Sequence, residues 1–139
     1  MQVKEAMAKT IGIASPRDPM RKVAQLMKRE DSGFIPICEG DTLQGVITDR
    51  DIVVRCMADG HEDILNEPAE HCMTRNPATI ESSASLDDAA QLMERLEVRR
   101  LPVVEGGRLV GVLSHGNLVQ ATRSEGPADT ATLGVTRGA

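Results

Sequence analysis

The chain has 139 residues, of which 40% are hydrophobic and 27% charged, with a net charge of −5; this is the size of one domain or of two half-size units, and collagenous and disordered classes are excluded. No apolar run approaches the roughly eighteen residues of a membrane helix, and the start Met1-Gln2-Val3-Lys4-Glu5 has no signal-type stretch, so a cytoplasmic protein with no membrane partner is expected. An acidic balance without a basic block, and Phe34 as the single aromatic residue, argue against a nucleic-acid partner and exclude base stacking on Tyr or Trp.

A short strand is expected first, then a helix with Pro19 just inside its start and Met20, Val23, Ala24 and Met27 at helical spacing. Two apolar runs, Phe34 to Cys38 and Leu43 to Thr48, flank the turn-rich Glu39-Gly40-Asp41-Thr42 and read as an antiparallel hairpin. A second helix follows Thr48, with Ile52, Val53 and Cys56 toward the core. The sequence from about residue 69 repeats the order: Ser85 as N-cap with Asp88 three residues on, then Leu86, Ala89, Ala90 and Met93. The hairpin recurs as Leu101 to Val104 and Leu109 to Ser114 around Glu105-Gly106-Gly107-Arg108, and a last helix carries Leu118 and Val119 inward.

The repetition is literal. A shift of 66 positions superposes Met7 on Met73, Ala24-Gln25-Leu26-Met27 on Ala90-Gln91-Leu92-Met93, Pro36 on Pro102, Glu39-Gly40 on Glu105-Gly106 and Gly45-Val46 on Gly111-Val112, without a gap. The fold class is therefore α+β, of sandwich-like α/β type, built from two copies of a strand-helix-strand-strand-helix unit. The expected divisions are a first motif over 1–58, a connector over 59–68 holding Gly60 and Pro68, a second motif over 69–123 and a flexible C-terminal tail over 124–139.

Phe34-Ile35-Pro36-Ile37 and Leu101-Pro102-Val103-Val104, with the two strings Gly45-Val46-Ile47-Thr48-Asp49-Arg50-Asp51 and Gly111-Val112-Leu113-Ser114-His115-Gly116-Asn117, resemble the CBS-domain family in its tandem form, the Bateman module. Both strings fit the family pattern G-hydrophobic-x-[ST]-x-x-[DN], and the similarity is strongest to small stand-alone bacterial members. The resemblance implies two motifs related by a pseudo-twofold axis, clefts between them, and a homodimer of modules. It also implies a regulatory role in which an adenosine-containing effector, AMP, ADP or ATP foremost, or else S-adenosylmethionine or NAD, occupies the clefts. No cofactor is required, and an unidentified protein partner is the expected recipient of the signal.

The residue types suit that chemistry. Thr48 and Ser114 each end a strand at a helix N-terminus, where a hydroxyl and unsatisfied N–H groups can meet a phosphate. Asp51 and Asn117 lie one turn on, placed for ribose hydroxyls. Helix capping, with Asp49 and Asp51 favouring the helix dipole, is the competing role for these positions. Gly45 and Gly111 fit a close approach of backbone to a ligand or neighbouring strand. Arg99 and Arg100 precede Leu101-Pro102, where family members carry phosphate-binding basic residues, and a guanidinium fork suits that task. Thr79 and Ile80 fall at a cleft lip. Ligand contact is thus expected at all eleven of these positions.

Cys38, Cys56 and Cys72 are an odd set without C-x-x-C spacing, so reduced thiols are expected, with Cys38 and Cys56 as small core residues. His61, His71 and His115 lack H-x-x-x-H spacing and read as surface or hinge residues, so no metal is expected. No nucleophile-base pair or P-loop is present, and the chain is expected not to be an enzyme. A ligand-free interaction or scaffold protein, redox- or stress-related and acting through dimerisation, is the alternative function.

Overall fold

The computed structural model describes residues 1–125. The tail expected over 124–139 lies, from residue 126, outside the described residues. The chain divides into two compact units, each containing a repeat copy: one comprises Gly12–Pro77 with Gly107–Leu109, the other Met1–Ile11, Ala78–Gly106 and the segment from Val110 onward. The leading segment of each copy is thus exchanged into the unit built on the other copy. None of the described helices is long and apolar enough to cross a membrane.

In the unit built on the first copy, helix α2 (Met20–Glu30) packs behind hairpin β1 (Phe34–Glu39) and β2 (Thr42–Thr48); α1 (Val3–Ala6) belongs to the other unit. The antiparallel register runs from Phe34 opposite Thr48 to Glu39 opposite Thr42, with an irregularity between Ile37 and Cys38. Ala14 bridges Ile37 in parallel on one side, and β3 (Thr74–Arg75) pairs antiparallel with β2 on the other. The core is Met20, Val23, Leu26, Ile35, Ile37, Ile47, Cys56, Cys72 and Met73, with Met27 packed against it. The helix begins at Met20, so Pro19 takes the N-cap position rather than the first turn. Asp18 caps no helical N–H; it accepts from Ser15 N–H at 2.8 Å and pairs with Lys22 at 3.0 Å.

The second copy repeats these elements. Strand β4 (Ile80–Glu81) pairs parallel with β5 (Arg100–Glu105), Ile80 opposite Val103, and β6 (Arg108–Ser114) neighbours β5 on its other side. Helix α4 (Leu86–Leu96) is capped by the Ser85 hydroxyl, which accepts from Asp88 N–H at 3.0 Å. Val3, fully buried, joins Ile80, Leu86, Ala89, Met93, Leu101, Val103 and Leu113 in the core, with Leu118 of α5 (His115–Glu125) against it. The leading strand of each copy is minimal, two residues in one and the single bridging Ala14 in the other.

The helix after Thr48 departs from expectation. It is a regular turn only over Asp49–Asp51 (α3) and continues as a wider π-type turn over Ile52–Met57, closed by Ala58 N–H to Val53 C=O at 2.9 Å. The longer i to i+5 spacing rotates successive side chains away from a 3.6-residue pattern. Cys56 is buried, whereas Val53, expected inside, is 56% exposed, beside exposed Val54 and Met57.

Candidate functional site

Each copy ends its hairpin in the same junction. Thr48 Oγ1 accepts from Asp51 N–H at 3.1 Å while Asp51 Oδ2 accepts from Thr48 N–H at 3.0 Å. Ser114 Oγ accepts from Asn117 N–H at 3.0 Å and Asn117 Oδ1 accepts from Ser114 N–H at 3.1 Å. These are reciprocal caps in which a short acid or its amide replaces the longer Glu or Gln. A hydroxyl that accepts one hydrogen bond still has its own O–H to donate and a second lone pair. The second Asp51 oxygen lies 3.9 Å from the Arg55 guanidinium, which also donates to Thr74 Oγ1 at 2.8 Å.

Gly33 and Arg99, which correspond under the 66-residue shift, close the junctions from the side. Gly33 C=O accepts from Asp49 N–H at 3.0 Å, and Arg99 C=O accepts from His115 N–H at 2.7 Å. Arg99, Arg100, Ser114 and Asn117 are thereby brought together at one end of β5 and β6. Arg99 is exposed and Arg100 half-buried, and the first copy offers Gly33 and Phe34 instead. Asp49 is exposed, and its Oδ1 accepts from Arg50 N–H at 2.9 Å.

The two glycines are explained by the chain itself. A Cβ on Gly45 would lie 2.6 Å from Thr74 O and 2.9 Å from Met73 Sδ; on Gly111 it would lie 2.6 Å from Met7 Sδ and 2.8 Å from Ala8 O. It is the exchanged leading segments that approach here. Thr79 and Ile80 stand one strand away from β6, across β5; Ile80 is buried, so only its backbone is available to a ligand, and Thr79 is half-buried.

A second constellation was not anticipated. Cys56 and Cys72, expected as reduced thiols, are joined as a disulfide with Cα atoms 6.2 Å apart, and the ligand atoms of Cys56, Cys72 and His61 all lie within 4.8 Å of one another. His71 is exposed, as expected of a surface or hinge residue, and His61 is half-buried; both are tied to one acid, with Glu67 Oε2 meeting His61 Nδ1 at 2.6 Å and Oε1 meeting His71 Nδ1 at 3.2 Å. The hydrogen bond with His61, ahead of that with His71, holds the Glu67 carboxyl below the usual carboxylate range against the opposing effect of burial. An open depression of about 450 Å³ adjoins them, lined in part by Asp63, Asn66 and Pro68. The signal present in the sequence was the proximity of His71-Cys72 to Cys56 and His61 across one connector. Cys38 is separate: buried in β1, with its thiol pushed up to about 11 by burial and, secondarily, by the Asp41 charge.

The exchanged leading segments, the parallel bridge before each hairpin and the two matching junctions define a tandem α+β repeat. The chain belongs to the CBS-domain family, whose CBS domain model matches residues 3–57 and 69–124. It is 35% identical over 129 residues to the CBS domain-containing protein YhcV of Bacillus subtilis (strain 168), covering 93% of this chain and 91% of that one. Among solved structures, Hypoxic Response Protein I with two coordinated zinc ions superposes with a TM-score of 0.79 at 29% identity, over 86% of this chain and 98% of the other. CBSX2 in complex with AMP superposes with a TM-score of 0.78 at 25% identity, over 89% and 97%.

Proposed function

We propose that the chain is a non-catalytic regulatory module whose effector is an adenosine-containing molecule, with AMP, ADP or ATP foremost. The observation that carries this reading is the pair of matching strand-to-helix junctions, each presenting a hydroxyl with a hydrogen still to donate beside a carboxylate or amide. Thr48 and Ser114 supply phosphate contacts at helix N-termini, and Asp51 and Asn117 meet ribose hydroxyls. Arg99 and Arg100 make the second-copy junction the more electropositive, favouring a phosphate-bearing ligand there. Asp49 and the Thr79-Ile80 backbone line the approach, and Gly45 and Gly111 let the leading segments lie close enough to support the junctions. The AMP complex of CBSX2 supports the ligand class.

The effector acts by binding two arrangements of the module unequally, since a ligand with equal affinity for both shifts nothing. The module acts as a cytoplasmic homodimer, with exposed Val53, Val54 and Met57 as apolar surface for the second copy, and passes the change to a separate protein.

A ligand-free interaction protein is the second reading. It is favoured by the caps, which satisfy Thr48, Asp51, Ser114 and Asn117 without any ligand. Calorimetric titration with AMP and ATP decides between the two, after a near-ultraviolet check for carried-over nucleotide that the absence of Trp and Tyr makes clean. Saturable binding weakened by Arg100→Ala and Asn117→Ala supports the sensor. No heat at two temperatures from nucleotide-free protein supports the interaction protein.

A further inference from the structure

The connector that leaves α3 is folded back on it. After the π-type turn, Gly60 adopts a positive φ of 82°, and His61 N–H returns to Cys56 C=O at 3.2 Å. The 3-10 turn Ala69–His71 then delivers Cys72 to the same place, with Cys72 N–H bonded to Ala69 C=O at 3.0 Å. Both sulfurs are buried and the imidazole is half-buried.

Packing alone does not call for these residues. The 66-residue shift places Ala6 opposite Cys72 and Thr122 opposite Cys56; Ala6 packs against the second core and Thr122 is exposed, so that copy keeps its core without a thiol at either place. The imidazole is also held in a particular way. Glu67 takes His61 Nδ1 at 2.6 Å, which fixes the tautomer and leaves Nε2 as the ring atom with a lone pair to give. A carboxylate that orients and polarises a histidine in this manner is the usual support of a metal-ligating imidazole.

We propose that Cys56, Cys72 and His61 form a zinc-type divalent-metal site in the reduced chain, and that the Cys56–Cys72 disulfide is its metal-free, oxidised form. Two thiolates and an imidazole are a soft donor set suited to zinc. A tetrahedral site with ordinary bond lengths needs its donor atoms ~3.7 Å apart, within the 4.8 Å that now encloses all three. Of the three donors His61 lines the adjoining depression, and a water entering along the imidazole would complete the fourth position. Oxidation by a hydroperoxide closes the cycle: the two thiolates give up two electrons, the S–S bond forms and the O–O bond breaks. Two protons are taken up, yielding an alcohol and water, and the metal leaves as the dication.

The test is a cobalt(II) titration of the full chain, reduced with a non-chelating phosphine and freed of metal. One equivalent per chain should produce thiolate-to-cobalt charge-transfer absorption, displaced by zinc, and the same protein oxidised with peroxide should produce none. Cys38→Ser should leave the signal intact, Cys72→Ser should abolish it, and Glu67→Gln should weaken cobalt binding by about 10- to 100-fold. Reduced wild-type protein without the band, an equal band from the oxidised protein, or a band that survives Cys72→Ser overturns the site. The first two outcomes need no variant to fold.

Discussion

Thr48 and Asp51 cap one another, each backbone N–H donating to the other's side chain at 3.1 and 3.0 Å. The same atoms are proposed to meet the effector, so an alanine at Asp51 removes a cap and a ligand contact together. Asp51→Ala is expected to lose about 1 kcal/mol of stability, seen as a lowered midpoint in thermal denaturation. Asp51→Asn should keep the midpoint, because Asn117 already performs that capping role in the second copy. A change in nucleotide affinity in Asp51→Asn would then report on the ligand rather than on the fold.

Gly45 and Gly111 are held to hydrogen by backbone oxygens that cannot swing away. Gly45→Ala sets a methyl 2.6 Å from Thr74 O, and Gly111→Ala sets one 2.8 Å from Ala8 O. Each is expected to destabilise by about 1–3 kcal/mol through overpacking. Gly116→Ala is the contrast: its nearest neighbour would be Ser114 Oγ at 3.7 Å, an ordinary contact, and it lies in α5. There the gain in helix propensity should stabilise by roughly 0.5 kcal/mol. Urea midpoints of the three variants check all of this.

The hairpins, the Ser85 cap and both junctions could be read from the sequence because a change from helical to alternating periodicity recurs after 66 residues, and each copy vouches for the other. What the repeat could not reveal lies where the copies differ. Cys56, His61 and Cys72 have no counterparts in the second copy, and they meet only because Gly60 turns the connector back. Val53 was placed inside by a 3.6-residue pattern that the π-type turn does not follow. The exchange of leading segments was equally hidden, since the local pattern of Val3 to Ala8 carries no mark of which copy it will join.

Asp18 gives the fold a dependence on acid. Its carboxyl is held below the ordinary 3.8 first by the Ser15 N–H and then, against a desolvation cost, by Lys22. A carboxylate with a lowered folded-state value contributes stability that is complete above its unfolded value and is lost as the pH falls through the folded one. Asp18→Asn should therefore be less stable than the parent at neutral pH, and the difference should close below 3.8. Denaturation midpoints at the two pH values provide the comparison; a gap that persists in acid would remove the carboxylate charge as its cause.

Val53 and Met57 are 56% and 57% exposed on the π-type turn. An apolar surface of this kind is the expected seat of a second copy. Val53→Lys and Met57→Lys are expected to shift the protein to monomer in sedimentation velocity, with far-ultraviolet circular dichroism unchanged. An unchanged sedimentation coefficient would place dimerisation elsewhere or remove it.

Cys38 is the free cysteine of the described residues, and its environment makes it unreactive. It is 2% exposed, and burial, reinforced by the Asp41 charge, raises its thiol to about 11. At neutral pH the thiolate that reacts with electrophiles is therefore nearly absent. Native, oxidised protein is expected to take up no thiol reagent. After reduction, Cys56 and Cys72 should be labelled first, and Cys38 should follow only in denaturant, with peptide mass mapping to assign each site. Rapid native labelling of Cys38 would instead mean that β1 opens readily.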